Sequence, residues 1–136
     1  MASFAFELVS PEKLLVSEQA EAVTAAGVEG EFTVLAQHAP FITVLKPGFV
    51  RIKAAGGGEQ VFYVRGGFAE VNPDGLTILA DFAVPAAELD GAVYAKEIEI
   101  AEAALGHAHS DEAKRRAQER LDWLKDLRAQ ATAAAH

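Results

Sequence analysis

Residues 30 to 48 read Gly30-Glu31-Phe32-Thr33-Val34-Leu35-Ala36-Gln37-His38-Ala39-Pro40-Phe41-Ile42-Thr43-Val44-Leu45-Lys46-Pro47-Gly48. Two short apolar runs, Phe32–Leu35 and Phe41–Val44, flank a polar Gln37-His38-Ala39-Pro40 turn, so the stretch predicts strand, turn, strand. Pro40 fixes its own φ and biases Ala39 toward extended geometry, which predicts a stiff loop with His38 at its tip. A stiff loop that carries an imidazole is suited to docking.

Outward from this stretch the same pattern repeats. From Phe4 to about Val84 the chain alternates short β-rich runs with Gly, Pro, Asn and Asp. The runs are Phe4–Val9, Leu14–Val16, Phe32–Leu35, Phe41–Val44, Phe49–Lys53, Val61–Val64, Phe68–Val71 and Leu76–Leu79. Val50, Ile52 and Ala54 alternate with Arg51 and Lys53, the pattern of a strand with one buried and one wet face. Ala55-Gly56-Gly57-Gly58 and Asn72-Pro73-Asp74-Gly75 each join two runs at hairpin distance. Such spacing predicts a β-sandwich or flattened barrel of roughly eight to ten short strands.

After Pro85 the alphabet changes to Ala, Glu, Lys, Arg and Leu, which favour helix, and the apolar period becomes helical. Tyr94, Ile98, Ala101 and Leu105 form one stripe, with Val93, Ile100 and Ala104 beside it. Gly106-His107-Ala108-His109 breaks the helix. Ser110 is a natural N-cap, and Asp111 and Glu112 follow in the first turn, where the helix dipole favours anions. A second helix is expected from there to near Ala131, with Ala113, Ala117, Leu121, Leu124 and Leu127 on one side. Two helices joined by a short turn predict an antiparallel hairpin. Its Ala-rich stripe buries little apolar area, so it is expected to be less stable than the sandwich. The low-complexity end, Ala131–His136, is expected to fray. The expected organisation is a β-sandwich over residues 1–85 and a C-terminal helical hairpin over residues 86–136.

Length and charge narrow the function classes. At 136 residues and 51% hydrophobic, the chain supports one ordinary core with an appendage. No window approaches the ~18 apolar residues of a membrane-spanning helix, and the amino terminus lacks the pattern of a signal peptide, so no direct membrane insertion and a cytoplasmic-side location are expected. The sequence contains no cysteine, which excludes disulfides, thiolate metal sites and thiol nucleophiles. A net charge of −8 argues against nucleic acid as a partner. That charge is uneven: residues 1–109 hold 6 basic and 15 acidic side chains, net −9, and residues 110–136 hold 6 basic and 5 acidic, net +1.

No catalytic constellation assembles. His107 and His109 lack a third ligand nearby, so no metal is expected. Gly56-Gly57-Gly58 and Arg65-Gly66-Gly67-Phe68 lack the spacing of phosphate-binding loops and read as turns or bulges. No serine sits in a nucleophile elbow. Glu97, Glu99 and Glu102 read as a solvated helix face. No cofactor is expected.

The residues quoted above also carry a family resemblance. An acidic residue after glycine, a His-Ala-Pro turn and a Leu45-Lys46-Pro47-Gly48 hairpin entry resemble the epsilon subunit of the rotary F-type ATP synthase. The opening Phe6-Glu7-Leu8-Val9-Ser10-Pro11-Glu12-Lys13, the run Gly66-Gly67-Phe68-Ala69-Glu70-Val71, the strand Leu76-Thr77-Ile78-Leu79-Ala80 and the helical hairpin extend the likeness over nearly the whole chain. The resemblance implies a non-catalytic subunit of the central rotor stalk of a bacterial proton-translocating enzyme, peripheral at the cytoplasmic face of the inner membrane. It implies that the sandwich binds the gamma subunit and the c-ring, with Glu31, His38, Ala39 and Pro40 facing the polar loops of the ring. Contact of the helices with the alpha/beta catalytic head, and regulation of hydrolysis by the hairpin, are further implications.

One departure has a consequence for nucleotide. Nucleotide-binding members carry Ile/Leu-Asp-x-x-Arg-Ala near the start of the first helix, and this chain has Leu89-Asp90-Gly91-Ala92-Val93-Tyr94. Valine cannot replace an arginine that grips phosphate through two hydrogen bonds, so no nucleotide binding is expected. The rival reading is a small ligand-binding β-sandwich with a helical oligomerisation tail. It calls for an aromatic-lined pocket, whereas the single tryptophan, Trp123, stands on the terminal helix.

Overall fold

The structure, a computed structural model, describes residues 2–134, with side chains described up to Gln130. Where fraying was expected over Ala131–His136 and the second helix was expected to end near Ala131, helix continues to Ala134, and residues 135 and 136 lie outside the described residues. By internal contacts the chain divides into two compact units, residues 1–88 and 89–136.

The first unit is a β-sandwich of nine strands. In chain order they are β1 Phe4–Val9, β2 Leu14–Gly27, β3 Gly30–Leu35, β4 Phe41–Leu45, β5 Gly48–Ala54, β6 Glu59–Val64, β7 Gly67–Asn72, β8 Gly75–Ala80 and β9 Ala83–Pro85. They form one mixed sheet in the order β1-β8-β7-β4-β2-β5-β6-β9, with β3 on β2 and β1 also on β2. All pairs are antiparallel except β1 with β8, where Phe6 lies opposite Leu76 and Leu8 opposite Ile78. Alternate residues point inward. Phe6 and Leu8 of β1, Val23 of β2, Ile52 of β5, and Leu76 and Ile78 of β8 are fully buried in one core, while Arg51 and Lys53 stay exposed.

The run expected at Leu14–Val16 is the start of a 14-residue strand. The remainder is rich in Ala, Glu and Gln, which have low intrinsic β propensity, so packing decides its state. Its first half pairs with β1, from Phe4↔Ala20 to Leu8↔Val16, and its second half pairs with β3 on one side and β5 on the other. The register with β5 slips between Ala20 and Ala22, a bulge that bends the strand between the two layers. Glu21 at the bulge pairs with Lys53 Nζ at 3.5 Å. The short strand β9 ends on Pro85, opposite Phe62 of β6. Proline lacks the N–H of a central strand, and β9 occupies the end of the sheet order.

The turns follow side-chain chemistry. Asn72 Oδ1 accepts from the N–H of Asp74 at 2.9 Å and of Gly75 at 3.0 Å, which closes the β7–β8 hairpin. Gly67 opens β7 at φ +135°, and a Cβ there would lie 1.9 Å from the carbonyl oxygen of Leu79.

The second unit is two helices, α1 Gly91–Gly106 and α2 Asp111–Ala134, packed on each other. Ser110 Oγ accepts from the Ala113 N–H at 3.0 Å and caps α2. Tyr94, Ile98 and Ala101 on α1 and Ala117, Leu121 and Leu124 on α2 are buried. Exposed pairs one turn apart, Glu112 with Arg116 and Arg115 with Glu119, lace the outer side of α2. The reading of Glu97 as solvated is corrected: its side chain is buried, whereas Glu99 and Glu102 are exposed. Position 97 falls three residues after Tyr94 and four before Ala101, inside the apolar stripe, so helical geometry carries the carboxylate inward whatever its polarity.

Because both φ and space at position 67 exclude a side chain, Gly67→Ala is expected to lower the stability of the chain by at least about 2 kcal/mol. Denaturant unfolding of the two proteins side by side measures the difference.

Candidate docking site

The loop between β3 and β4 is held by local bonds. The His38 N–H reaches the carbonyl of Leu35 at 3.2 Å and closes a turn. His38 Nδ1 lies 2.9 Å from the carbonyl oxygen of Ala39. A carbonyl only accepts, so Nδ1 carries the proton in this bond, and Nε2 takes no part in it. The imidazole packs on Phe41, ring centres 5.2 Å apart, and Phe41 meets Phe32 edge to face at 5.4 Å. His38, Ala39 and Pro40 are all exposed. With Gln37 they line one side of a cleft of about 320 Å³, whose other side is the β7–β8 turn at Asn72 and Pro73.

Glu31 stands exposed near the start of β3, opposite Ala26 of β2. It lines a second hollow together with Phe32 and Phe41. Phe41 thus packs against the His38 ring and also lines the hollow that Glu31 borders. The structure brings these two positions to one region through the Phe32–Phe41 pair.

Leu89, Asp90, Val93 and Tyr94 lie apart from this region in the chain, at the start of α1. Asp90 is the N-cap, and its Oδ1 accepts from the Val93 N–H at 3.0 Å. Tyr94 is buried, and burial pushes its phenol above the ordinary tyrosine range. In this chain the aspartate of the degenerate motif acts as a helix cap. His107 and His109 flank the end of α1, and among the described residues no three His, Cys, Asp or Glu side chains gather as a metal site.

A surface that the sequence reading left unnamed lies on the outer face of β4, β7 and β8. Val44 is opposite Phe68, and Phe68 is opposite Leu79, so the three side chains form a row across hydrogen-bonded strands. All three are exposed, Phe68 at 52%, and Ile42, two residues along β4 from Val44, is 67% exposed. The next row on the same face reads Ile42, Glu70, Thr77 and Glu7 through the pairs Ile42↔Glu70, Glu70↔Thr77 and Glu7↔Thr77. An exposed apolar row of this kind is a feature shared by surfaces that other molecules cover. The signal was present in Phe41-Ile42-Thr43-Val44-Leu45, which is apolar at both parities and so cannot bury all its side chains in a single core.

The comparisons with known proteins agree with this architecture. Residues 3–86 match the family model described as ATP synthase, Delta/Epsilon chain, beta-sandwich domain. The ATP synthase epsilon chain of Mesorhizobium japonicum is 48% identical over 92% of this chain and 93% of its own length. That of Rhodopseudomonas palustris strain BisB18 is 49% identical over 99% of this chain and 98% of its own. Among solved structures, a chain of the Euglena gracilis mitochondrial ATP synthase assembly of OSCP, F1 and c-ring superposes with a TM-score of 0.70 at 30% identity, covering 100% of this chain and 83% of that one. A chain of the Tetrahymena thermophila mitochondrial ATP synthase central stalk and c-ring shares the fold at a TM-score of 0.61 and 19% identity, covering 96% and 97%. The chain belongs to the ATP synthase epsilon chain family.

If Asp90 is a cap, Asp90→Ala removes one helix-end hydrogen bond and is expected to cost about 1 kcal/mol. The loss is read in the thermal melt of the helical circular-dichroism signal, with Asp90→Asn close to the parent.

Proposed function

We propose that the chain is a non-catalytic central-stalk subunit of a bacterial proton-translocating ATP synthase, bound peripherally at the cytoplasmic face of the inner membrane. Its sandwich joins the gamma subunit to the c-ring, so that rotation of the ring reaches the catalytic head as torque. Family membership supports the assembly, and the observation that carries the docking role is the exposed apolar row Val44, Phe68 and Leu79. Such a row is stable in water only at a cost, and covering each half-exposed side chain returns on the order of 1 kcal/mol. Gamma is the occupant assigned to this face.

The c-ring is assigned to the region around Phe41. Glu31 offers a carboxylate that can accept charge-assisted hydrogen bonds from polar loops, and His38 offers the exposed ring nitrogen that Ala39 does not engage. Ala39 and Pro40 complete the contact as rigid, low-entropy surface. No helix among the described residues is long and apolar enough to cross a membrane, which suits a subunit that meets the ring from outside the bilayer.

The helical unit is assigned a regulatory role, reaching the alpha/beta head by its second helix. Residues 110–136 carry net +1 against net −9 for the remainder, and the alanines of its stripe hold it by small contacts. Reversible docking follows from both.

The two interfaces are tested together. Phe68→Glu is expected to weaken gamma binding at least tenfold, about 1.4 kcal/mol, and to leave the fold intact because the position is exposed. Glu31→Ala with His38→Ala is expected to weaken retention of the head on the membrane while gamma binding holds. Unchanged affinities would remove the respective surface from the assembly.

A chain ending at Glu88 is expected to assemble and to support proton-coupled ATP synthesis, with any change confined to the rate of ATP hydrolysis. Loss of coupling would show that the helices form part of the structural joint.

A further inference from the structure

Gln37 is the one residue other than glycine with a positive φ among the described residues, at +67°. It occupies the third position of the turn closed by the His38 N–H and the Leu35 carbonyl, a place suited to Gly or Asn because other side chains crowd the backbone there. The surroundings impose the conformation: Pro40 is rigid, His38 Nδ1 is tied to Ala39, and the ring is packed on Phe41. Strain of this kind persists where the surrounding structure over-determines it, and it clusters at ligand clamps and switch regions. Within the described structure nothing uses this side chain. The Gln37 side chain is exposed, and no hydrogen bond joins its carboxamide to another described residue.

The cleft beside it defines what the carboxamide meets. Of the polar groups that line it, Asn72 Oδ1 is committed to its own turn and His38 Nδ1 to Ala39. The Gln37 carboxamide, a donor and an acceptor in one plane, is left for a partner, as are His38 Nε2 and the amide N–H groups of Asn72. No carboxylate lines this cleft, so it lacks the charge that would select a guanidinium or ammonium group. We propose that Gln37 is a recognition residue of the loop, its carboxamide exchanging two hydrogen bonds with a peptide or side-chain amide of the polar ring loop, seated between the His38 loop and the β7–β8 turn. The assignment rests on the ring-docking reading given above.

The test uses the complete ATP synthase head carrying the variant chain, rebound to membranes stripped of their own head, with the bound fraction followed against concentration. Gln37→Gly removes the carboxamide and relieves the backbone, and Gln37→Leu keeps the size and the strained backbone but removes the carboxamide. Both are expected to weaken rebinding about tenfold, and the thermal midpoint of the isolated Gln37→Gly chain is expected to hold or rise. Rebinding equal to the parent in both variants overturns the assignment, as does a lower midpoint for Gln37→Gly, which would make the side chain structural. Glu31→Ala with His38→Ala separates the two levels. If that pair weakens rebinding and the Gln37 variants do not, Gln37 alone is misassigned; if none of them weakens it, the docking reading fails with it.

Discussion

The sandwich depends on one strand meeting backbone partners on several others. β2 bonds β1 along its first half, and β3 and β5 along its second, and it touches β4 at Gly27 opposite Leu45. A buried backbone polar group without a partner costs about as much as a lost hydrogen bond, so this ladder leaves the neighbouring strands little freedom of register. A slip of one residue would turn Val16, Ala20, Val23 and Ala25 out of the core. The bulge between Ala20 and Ala22 lets one strand serve both layers, and it holds Glu21 where Lys53 can neutralise it.

Placement of the residues proposed to dock follows from that register. β3 is held on β2, which sets Phe32 against Phe41, and Phe41 then supports the imidazole of His38. The loop proposed to dock is therefore tied by local contacts although it is exposed, which would lower the ordering cost of binding a partner. The apolar row on β4, β7 and β8 has the same origin, because straight cross-strand pairing puts Val44, Phe68 and Leu79 in line.

Much of this was legible in the residues. The β-to-helix change after Pro85, the hairpin turn at Asn72–Gly75, the Ser110 cap and the turn at His38 all rest on local chemistry, which a sequence displays directly, whereas the Asp90 cap was read only as part of a degenerate motif. What stayed hidden depends on partners remote in the chain. The length of β2 was masked because Ala20, Ala22, Ala25 and Ala26 have weak β preference and are held by their neighbours. Glu97 looked solvated because its charge speaks for water, whereas its helical position turns it inward. The apolar row needed strand order before it could be seen as a row, and the positive φ of Gln37 has no signature in a Gln-His-Ala-Pro string.

The parallel pairing of β1 with β8 also bears on how the molecule is made. Phe6 and Leu76 meet although 70 residues separate them, so the first strand to leave the ribosome waits for nearly the last of the sandwich. Until β8 has been synthesised, β1 can pair only with β2, and its other edge stays open to any passing strand. Closure of the sheet thus awaits β8, and the helical residues follow only after every strand of the sandwich is available to pair.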